Sequence, residues 1–371
     1  MPKTSIEARI DKLLEKLDGR KVDAAWIVQP ENRRYLSGFT AEDSQLTESS
    51  GSLIIGGQYR LLLTDTRYAE QAKNEASSFD IVTVKGDLTS EFPKILSKIG
   101  CKSLGFEDSY LIWGTYVKLK ENIKQQNISV ELLPLNNLVE DMRKIKDAEE
   151  IDAIKASVRL ITSIVKQMPH WLTPGMSERE VAWKIEDHSR RSGAEAMAFP
   201  PIVASGPNGA LPHAVPTDKE ILPGEPIVVD VGVKLNGYCS DTTRTLFVGK
   251  PDKFFLDIYK IVREAQIKAL ETIRPGVSTD LPDKKARAVI SEAGYGDYFG
   301  HALGHGVGLA THEGPRLSPR DPEPLLPGMV VTVEPGIYIP GKGGVRLEEM
   351  VLVTDTGVEI LTNDLGFYIL E

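Results

Sequence analysis

The chain has 371 residues, 41% hydrophobic and 26% charged, with a formal net charge of −9. That length allows two domains that each bury a core, while the acidic balance excludes nucleic acid and anionic membrane surfaces, both of which demand clustered Lys and Arg. Two cysteines make no disulfide framework, charges break up every apolar run near the N-terminus, and no run reaches about 18 apolar residues, so a cytoplasmic protein that spans no membrane is expected.

The first segment reads as a helix: Ile6, Ile10, Leu13, Leu14 and Leu17 follow the helical period, and Thr4 with Glu7 has capping-box spacing. Residues 22–28 are apolar and β-prone. Residues 53–55 and 59–63 flank Gly56-Gly57, which predicts a hairpin. A helix after Asp65 and short strands near Ile81 and Leu104 complete an α/β domain over residues 1–143. The charged stretch 143–150 marks the boundary. Beyond it Ile151, Ile154, Val158, Ile161 and Val165 give one apolar helical face. A second helix opens at Ser177, with Glu180 three residues on. After Phe199-Pro200-Pro201 the pattern turns to β-rich segments, so residues 144–371 read as an α+β domain.

Residues 222–232 can be laid on residues 326–336 without a gap. Both start Leu-Pro-Gly, both continue into a β-run, and Asp230 falls on Glu334. Turn-then-strand is a common pattern, yet both acids interrupt buried-looking runs. A pseudo-symmetric domain follows, with acids from equivalent strands.

Asn236-Gly237 is a strong signal for a two-residue hairpin turn, which needs positive φ. Asp230 then faces Thr243 and Asp241 faces Gly232, so both carboxylates emerge diagonally on one face. At about 4 Å and an effective dielectric near 20 they repel by roughly 4 kcal/mol. Solvent, a proton or a cation must offset that, and Val228, Val229 and Val231 make the solvated alternative weaker. Glu334 ends a second β-run. Glu348 follows Arg346 by two residues on one face, where an Arg346–Glu348 ion pair is the plain structural alternative. Glu349 points the other way.

Three of six histidines crowd into residues 301–312: His301, His305 and His312. Gly304, Gly306 and Gly308 allow close backbone approach and argue against a regular helix. His213 lies in a loop-like run and is a site candidate; His170 and His188 read as structural or exposed. Four carboxylates and one imidazole suit two divalent ions, with charges of −4 and +4. Oxygen-rich ligation favours manganese or cobalt over a structural zinc. Two such ions activate a water and polarise a carbonyl.

The order Asp, Asp, His, Glu, Glu, set in VDVG, SDTTRT, GHGVG, EPGIY and GVRLEE contexts, resembles the pita-bread metallopeptidases, which include Xaa-Pro aminopeptidases, prolidases and methionine aminopeptidases. The N-terminal half resembles the creatinase-type domain of the proline-specific branch, which methionine aminopeptidases lack. The resemblance implies a pita-bread catalytic domain with Asp230, Asp241, His305, Glu334 and Glu348 as metal ligands, Asp241 and Glu348 bridging. It implies substrate-binding or catalytic roles for His213, His301 and His312, proton transfer by Glu334, and an active-site role for Arg346. Creatinases share the fold without this ligand set. Leu347-Glu348-Glu349 stands for the commoner Ile-Glu-Asp, and Ala310 stands where many relatives carry an acid. The expected function is an Xaa-Pro aminopeptidase with two metal ions, manganese first and cobalt or zinc as alternatives, acting on peptides with proline second. A prolidase is the runner-up, and a non-catalytic peptide-binding protein is the rival of another class. A homodimer is implied by the resemblance alone.

Overall fold

The computed structural model describes residues 5–43, 45, 47–320, 322–362 and 369–370. The chain divides into two compact units, Met1–Met142 and Arg143–Glu371. The Thr4 cap lies outside the described residues, but the helix it was expected to open, α1 (Ser5–Gly19), buries Ile10, Leu13 and Leu17.

The first unit continues with β1 (Ala24–Ile27), α2 (Pro30–Ser37), β2 (Ser52–Gly56), β3 (Tyr59–Thr64), α3 (Ala69–Glu75), β4 (Asp80–Thr83), α4 (Leu88–Lys98), β5 (Ser103–Phe106), α5 (Trp113–Gln125), β6 (Glu131–Pro134) and α6 (Leu138–Arg143), the division falling within α6. Its six strands form one sheet in the order β4-β3-β2-β1-β5-β6. Only β2 runs antiparallel to its neighbours, because the hairpin pairing Gly56 with Tyr59 turns it back. Trp26 and Leu104 of the sheet and Phe92 and Leu119 of the helices share one core.

Glu107, just past β5, is a buried carboxylate at the head of α2. It accepts the backbone N–H groups of Val28 (2.6 Å) and Gln29 (2.7 Å) and the amide of Asn32 (2.6 Å). Those bonds and the helix N-terminus favour the anion, but burial outweighs them and pushes the carboxyl from 4.5 up to about 7. Between those values the folded chain keeps a proton that the unfolded chain has released. Its contribution is therefore fully present below about 4.5 and lost as pH rises through about 7, an effect on the order of 3 kcal/mol. Urea unfolding at pH 5 and pH 8 should show that loss in the wild type and not in Glu107→Gln; equal slopes would refute it.

The second unit comprises α7 (Ala148–Gln167), α8 (Glu178–Arg191), β7 (Ala196–Met197), β8 (Ile202–Ser205), β9 (Pro226–Val231), β10 (Val233–Leu235), β11 (Tyr238–Cys239), β12 (Thr242–Val248), α9 (Lys253–Leu270), α10 (Asp280–Glu292), β13 (Gly304–Gly306), β14 (Glu313–Leu317), β15 (Val330–Val333), β16 (Gly336–Ile339), β17 (Gly343–Arg346), β18 (Glu349–Val353), β19 (Val358–Ile360) and β20 (Ile369–Leu370). Both first helices open on capping boxes, Asp147 with Glu150 and Ser177 with Glu180.

Two similar layers result. Ile161, Ile164 and Val165 of α7 and Val181 and Ile185 of α8 pack on Ile227, Val229 and Val231 of β9 and Leu246 of β12, in the sheet β20-β12-β9-β8. Ile258 and Val262 of α9 and Ala286 and Ile290 of α10 pack on Val331 and Val333 of β15 and Val351 of β18, in the sheet β14-β13-β15-β18-β19. The internal repeat is real in space: β9 pairs antiparallel with β12 as β15 pairs with β18. Gly224 and Gly328 open the two strands at φ 84° and 87°. Because alternate residues face opposite sides, sending 227, 229 and 231 to one helix pair turns Asp230 away from it. The same parity turns Thr332 and Glu334 away from α9 and α10.

Candidate metal centre

The hairpin places the first two acids as its register predicts. Asn236 and Gly237 have φ 52° and 81°, and pairs summing to 473 run from Leu235–Tyr238 to Asp230–Thr243. The ladder breaks at Gly232, where a Cβ would stand 2.0 Å from the Ser240 carbonyl oxygen. Asp241 sits in the matching break between β11 and β12, and Glu348 in the break between β17 and β18. Freed from a strand, each side chain leans into a cavity of about 740 Å³.

His305 arrives on β13, which approaches β15 so closely that a Cβ on Gly304 would lie 2.0 Å from the Thr332 carbonyl oxygen. Its Nε2 stands 3.4 Å from Glu334 and 3.7 Å from Asp241. Donor atoms of Asp241, His305 and Glu348 lie within 4.8 Å of one another. Asp230 and Glu334 line the same cavity. Glu348 accepts the Thr243 hydroxyl at 2.7 Å, and Glu334 accepts the Thr332 hydroxyl at 3.3 Å.

The alternative Arg346–Glu348 ion pair does not form, and Arg346 pairs with Asp230 instead. Arg346, 2% exposed, gives Nη2 to Asp230 (2.7 Å), Nη1 to the Tyr338 hydroxyl (2.9 Å) and the Pro212 carbonyl (3.1 Å), and Nε to Thr243 (3.0 Å). Its rigid fork suits a fixed frame. Glu349 does turn away, to Arg244 at 3.0 Å. His301 hydrogen-bonds the Tyr338 hydroxyl at 2.9 Å. His213, His301 and His312 all line the cavity, and the His312 ring lies 4.3 Å from that of His305. His188 packs edge-on to Trp171, apart from the cavity.

The electrostatics ask for a cation. Burial first, then the Glu348 and Asp230 charges, holds the Asp241 carboxyl well above its usual range. Burial, Glu334 and Asp230 do the same to Glu348, and burial pushes Glu334 up to about 8. Burial lowers His301 and His305 to about 4, which leaves neutral imidazoles fit to ligate. The buried Asp230 Oδ1 has no hydrogen-bond partner among the described residues. One guanidinium cannot neutralise four carboxylates, so the donor set fits divalent ions.

Residues that sequence reasoning missed are Tyr338, Thr243 and Thr332, which hold site groups, and Arg316 and Glu313 on the cavity wall. Tyr338 sits in the quoted EPGIY run, the one signal available for it. No helix among the described residues is long and apolar enough to cross a membrane.

Residues 152–355 match the model of metallopeptidase family M24, and residues 9–145 match the creatinase/prolidase N-terminal domain. An Xaa-Pro dipeptidase of Pyrococcus furiosus is 40% identical over 357 residues, covering 96% of this chain and 98% of that one. Among solved structures, an Xaa-Pro dipeptidase from Bacillus anthracis superposes with a TM-score of 0.91 at 38% identity, over 98% of this chain and 100% of that one. An X-Pro aminopeptidase from Thermotoga maritima gives 0.85 at 36%, over 97% and 99%.

Proposed function

Since the chain belongs to metallopeptidase family M24, we propose that it is an Xaa-Pro dipeptidase, which cleaves the bond between a first residue and a carboxyl-terminal proline. This reverses the order expected from sequence, where the aminopeptidase came first. The names of the similar dipeptidases support the reversal, and one observation carries it. Arg316 lines the cavity, is exposed, and makes no ion pair among the described residues. A free guanidinium on that wall is suited to a substrate carboxylate, which it can bind through two parallel hydrogen bonds.

Asp230, Asp241, His305, Glu334 and Glu348 would hold two divalent ions, manganese by the chemistry of the donors, which when bound make water a better nucleophile and polarise the scissile carbonyl. Arg346 and Thr243 fix Asp230 and Glu348. Glu334 takes a proton from the attacking water and gives it to the proline nitrogen as the C–N bond breaks. His312 donates a hydrogen bond to the carbonyl oxygen as it gains charge, and His213 binds the substrate beside it. His301, held by Tyr338, completes the wall.

The test is turnover of Ala-Pro beside Ala-Pro-Ala with added manganese, cobalt or zinc. The dipeptide should be strongly preferred. Arg316→Gln should raise KM for the dipeptide about 10- to 100-fold, the worth of one charged hydrogen-bonding contact. Comparable tripeptide turnover would return the assignment to aminopeptidase, the activity named for the Thermotoga structure. No turnover with any metal would leave the non-catalytic peptide-binding reading.

A further inference from the structure

His213 has no hydrogen-bonding partner among the described residues, yet the loop that carries it is closed by one buried carboxylate. Glu178 is the first residue of α8 and is 0% exposed. Its Oε1 accepts Ser205 N (2.7 Å), the Ser205 hydroxyl (3.0 Å) and the Asn208 amide (3.2 Å). Its Oε2 accepts the Asn208 amide (3.0 Å), Thr217 N (3.0 Å) and the Thr217 hydroxyl (2.7 Å). All six bonds come from the two ends and the first turn of residues 205–217. The helix returns the contact: Glu178 N donates to Lys219 O and Arg179 N to Thr217 O. Lys219 Nζ backs the Ser205 hydroxyl at 2.9 Å.

Between those ends lies a wall of the cavity, Pro212 to Pro216 with His213 within it. The Pro212 carbonyl accepts from Arg346, which also holds Asp230. The loop is thus fixed at its base by Glu178 and at its tip by the frame of the metal centre. A carboxylate is the group this needs, because every neighbour is a donor. Glutamine would set its own N–H₂ against the Ser205 or the Thr217 N–H, and a buried donor facing a donor forces one of them apart.

We infer that Glu178 is a positioning residue for the reaction: its carboxylate sets where His213 and the Pro212–Pro216 wall stand, and so sets substrate affinity. It touches neither substrate nor metal ligands. The inference rests on the functional reading only in that His213 meets the substrate.

Glu178→Gln and Asn208→Ala decide it, each alone and with His213→Ala. Glu178→Gln should raise KM for Ala-Pro tenfold or more with kcat within threefold, while manganese binding measured by titration stays as in the wild type. On the His213→Ala background it should raise KM less than twofold, because the two act as a unit. Additive effects, or lost manganese binding, would show a general structural role and overturn it. Backbone amide exchange reads the position without activity: exchange over residues 205–217 should quicken at least tenfold in Glu178→Gln while β12 stays protected. Unchanged exchange overturns the inference even if wild-type turnover stands. Quickened exchange in a protein that cleaves no Xaa-Pro peptide keeps it and sinks the dipeptidase reading. If the glutamine variant does not fold, Asn208→Ala removes one donor and spares the carboxylate. It should raise KM two- to fivefold, and no rise would overturn the proposal.

Discussion

Asp241→Asn lowers kcat by about 10³-fold or more, since it withdraws one charged donor from a centre that must supply several kcal/mol to the transition state. The same change should leave the metal-free protein at least as stable as the wild type. Asp241 is 4% exposed, and burial with Glu348 and Asp230 beside it disfavours its charge. Asparagine keeps the shape and removes the repulsion. The two proteins therefore diverge when manganese is added. At a hundredfold excess over Kd the wild type should gain about 2.7 kcal/mol and melt several degrees higher. The variant should gain little. Calorimetry with and without the ion, beside initial rates, checks both halves. Equal thermal gain in both proteins would remove Asp241 from the metal ligands.

Glu313→Leu destabilises the second unit by about 3–5 kcal/mol, which lowers its melting temperature by roughly 10 °C. Glu313 receives Lys146 Nζ at 2.7 Å and Arg143 Nη2 at 2.5 Å, all three side chains being nearly buried. Burial alone would raise its carboxyl, but the two cations hold it below the ordinary range. Removing the anion leaves two desolvated positive charges together. Replacing all three, with Arg143→Met and Lys146→Met added, should recover most of the loss, because a well-packed apolar cluster can match a buried ion network. A loss under about 1 kcal/mol in the single variant would refute this account.

The fold was legible where local chemistry leaves one choice. Asn236-Gly237 admits positive φ at both positions, so the register of the hairpin and the shared face of Asp230 and Asp241 followed from counting. The Ser177 box announced its helix, and the Leu-Pro-Gly repeats announced two equivalent strands. Partners remote in sequence were not legible. Nothing near Arg346 says that it reaches Asp230, 116 positions away, rather than Glu348 two positions on. Glu178 reads as an ordinary acidic residue in a helical first turn until Ser205 and Thr217 are folded onto it. Arg316 gave no pattern at all, because its meaning lies in the company it lacks.

Three successive residues of β12 each reach a different partner near β17 and β18: Thr243 reaches Glu348, Arg244 reaches Glu349, and Thr245 reaches the Arg346 carbonyl. The Glu348 N–H returns to the Thr243 carbonyl at 3.1 Å. Contacts made in step like these are indexed by position, not by residue type alone. A serine could stand for either threonine and keep its bond. One residue inserted between Gly232 and Thr242, or between Ile339 and Glu348, would shift the whole series by one place and put each donor opposite the wrong partner. Along this seam the chain tolerates changes of letter far better than changes of length.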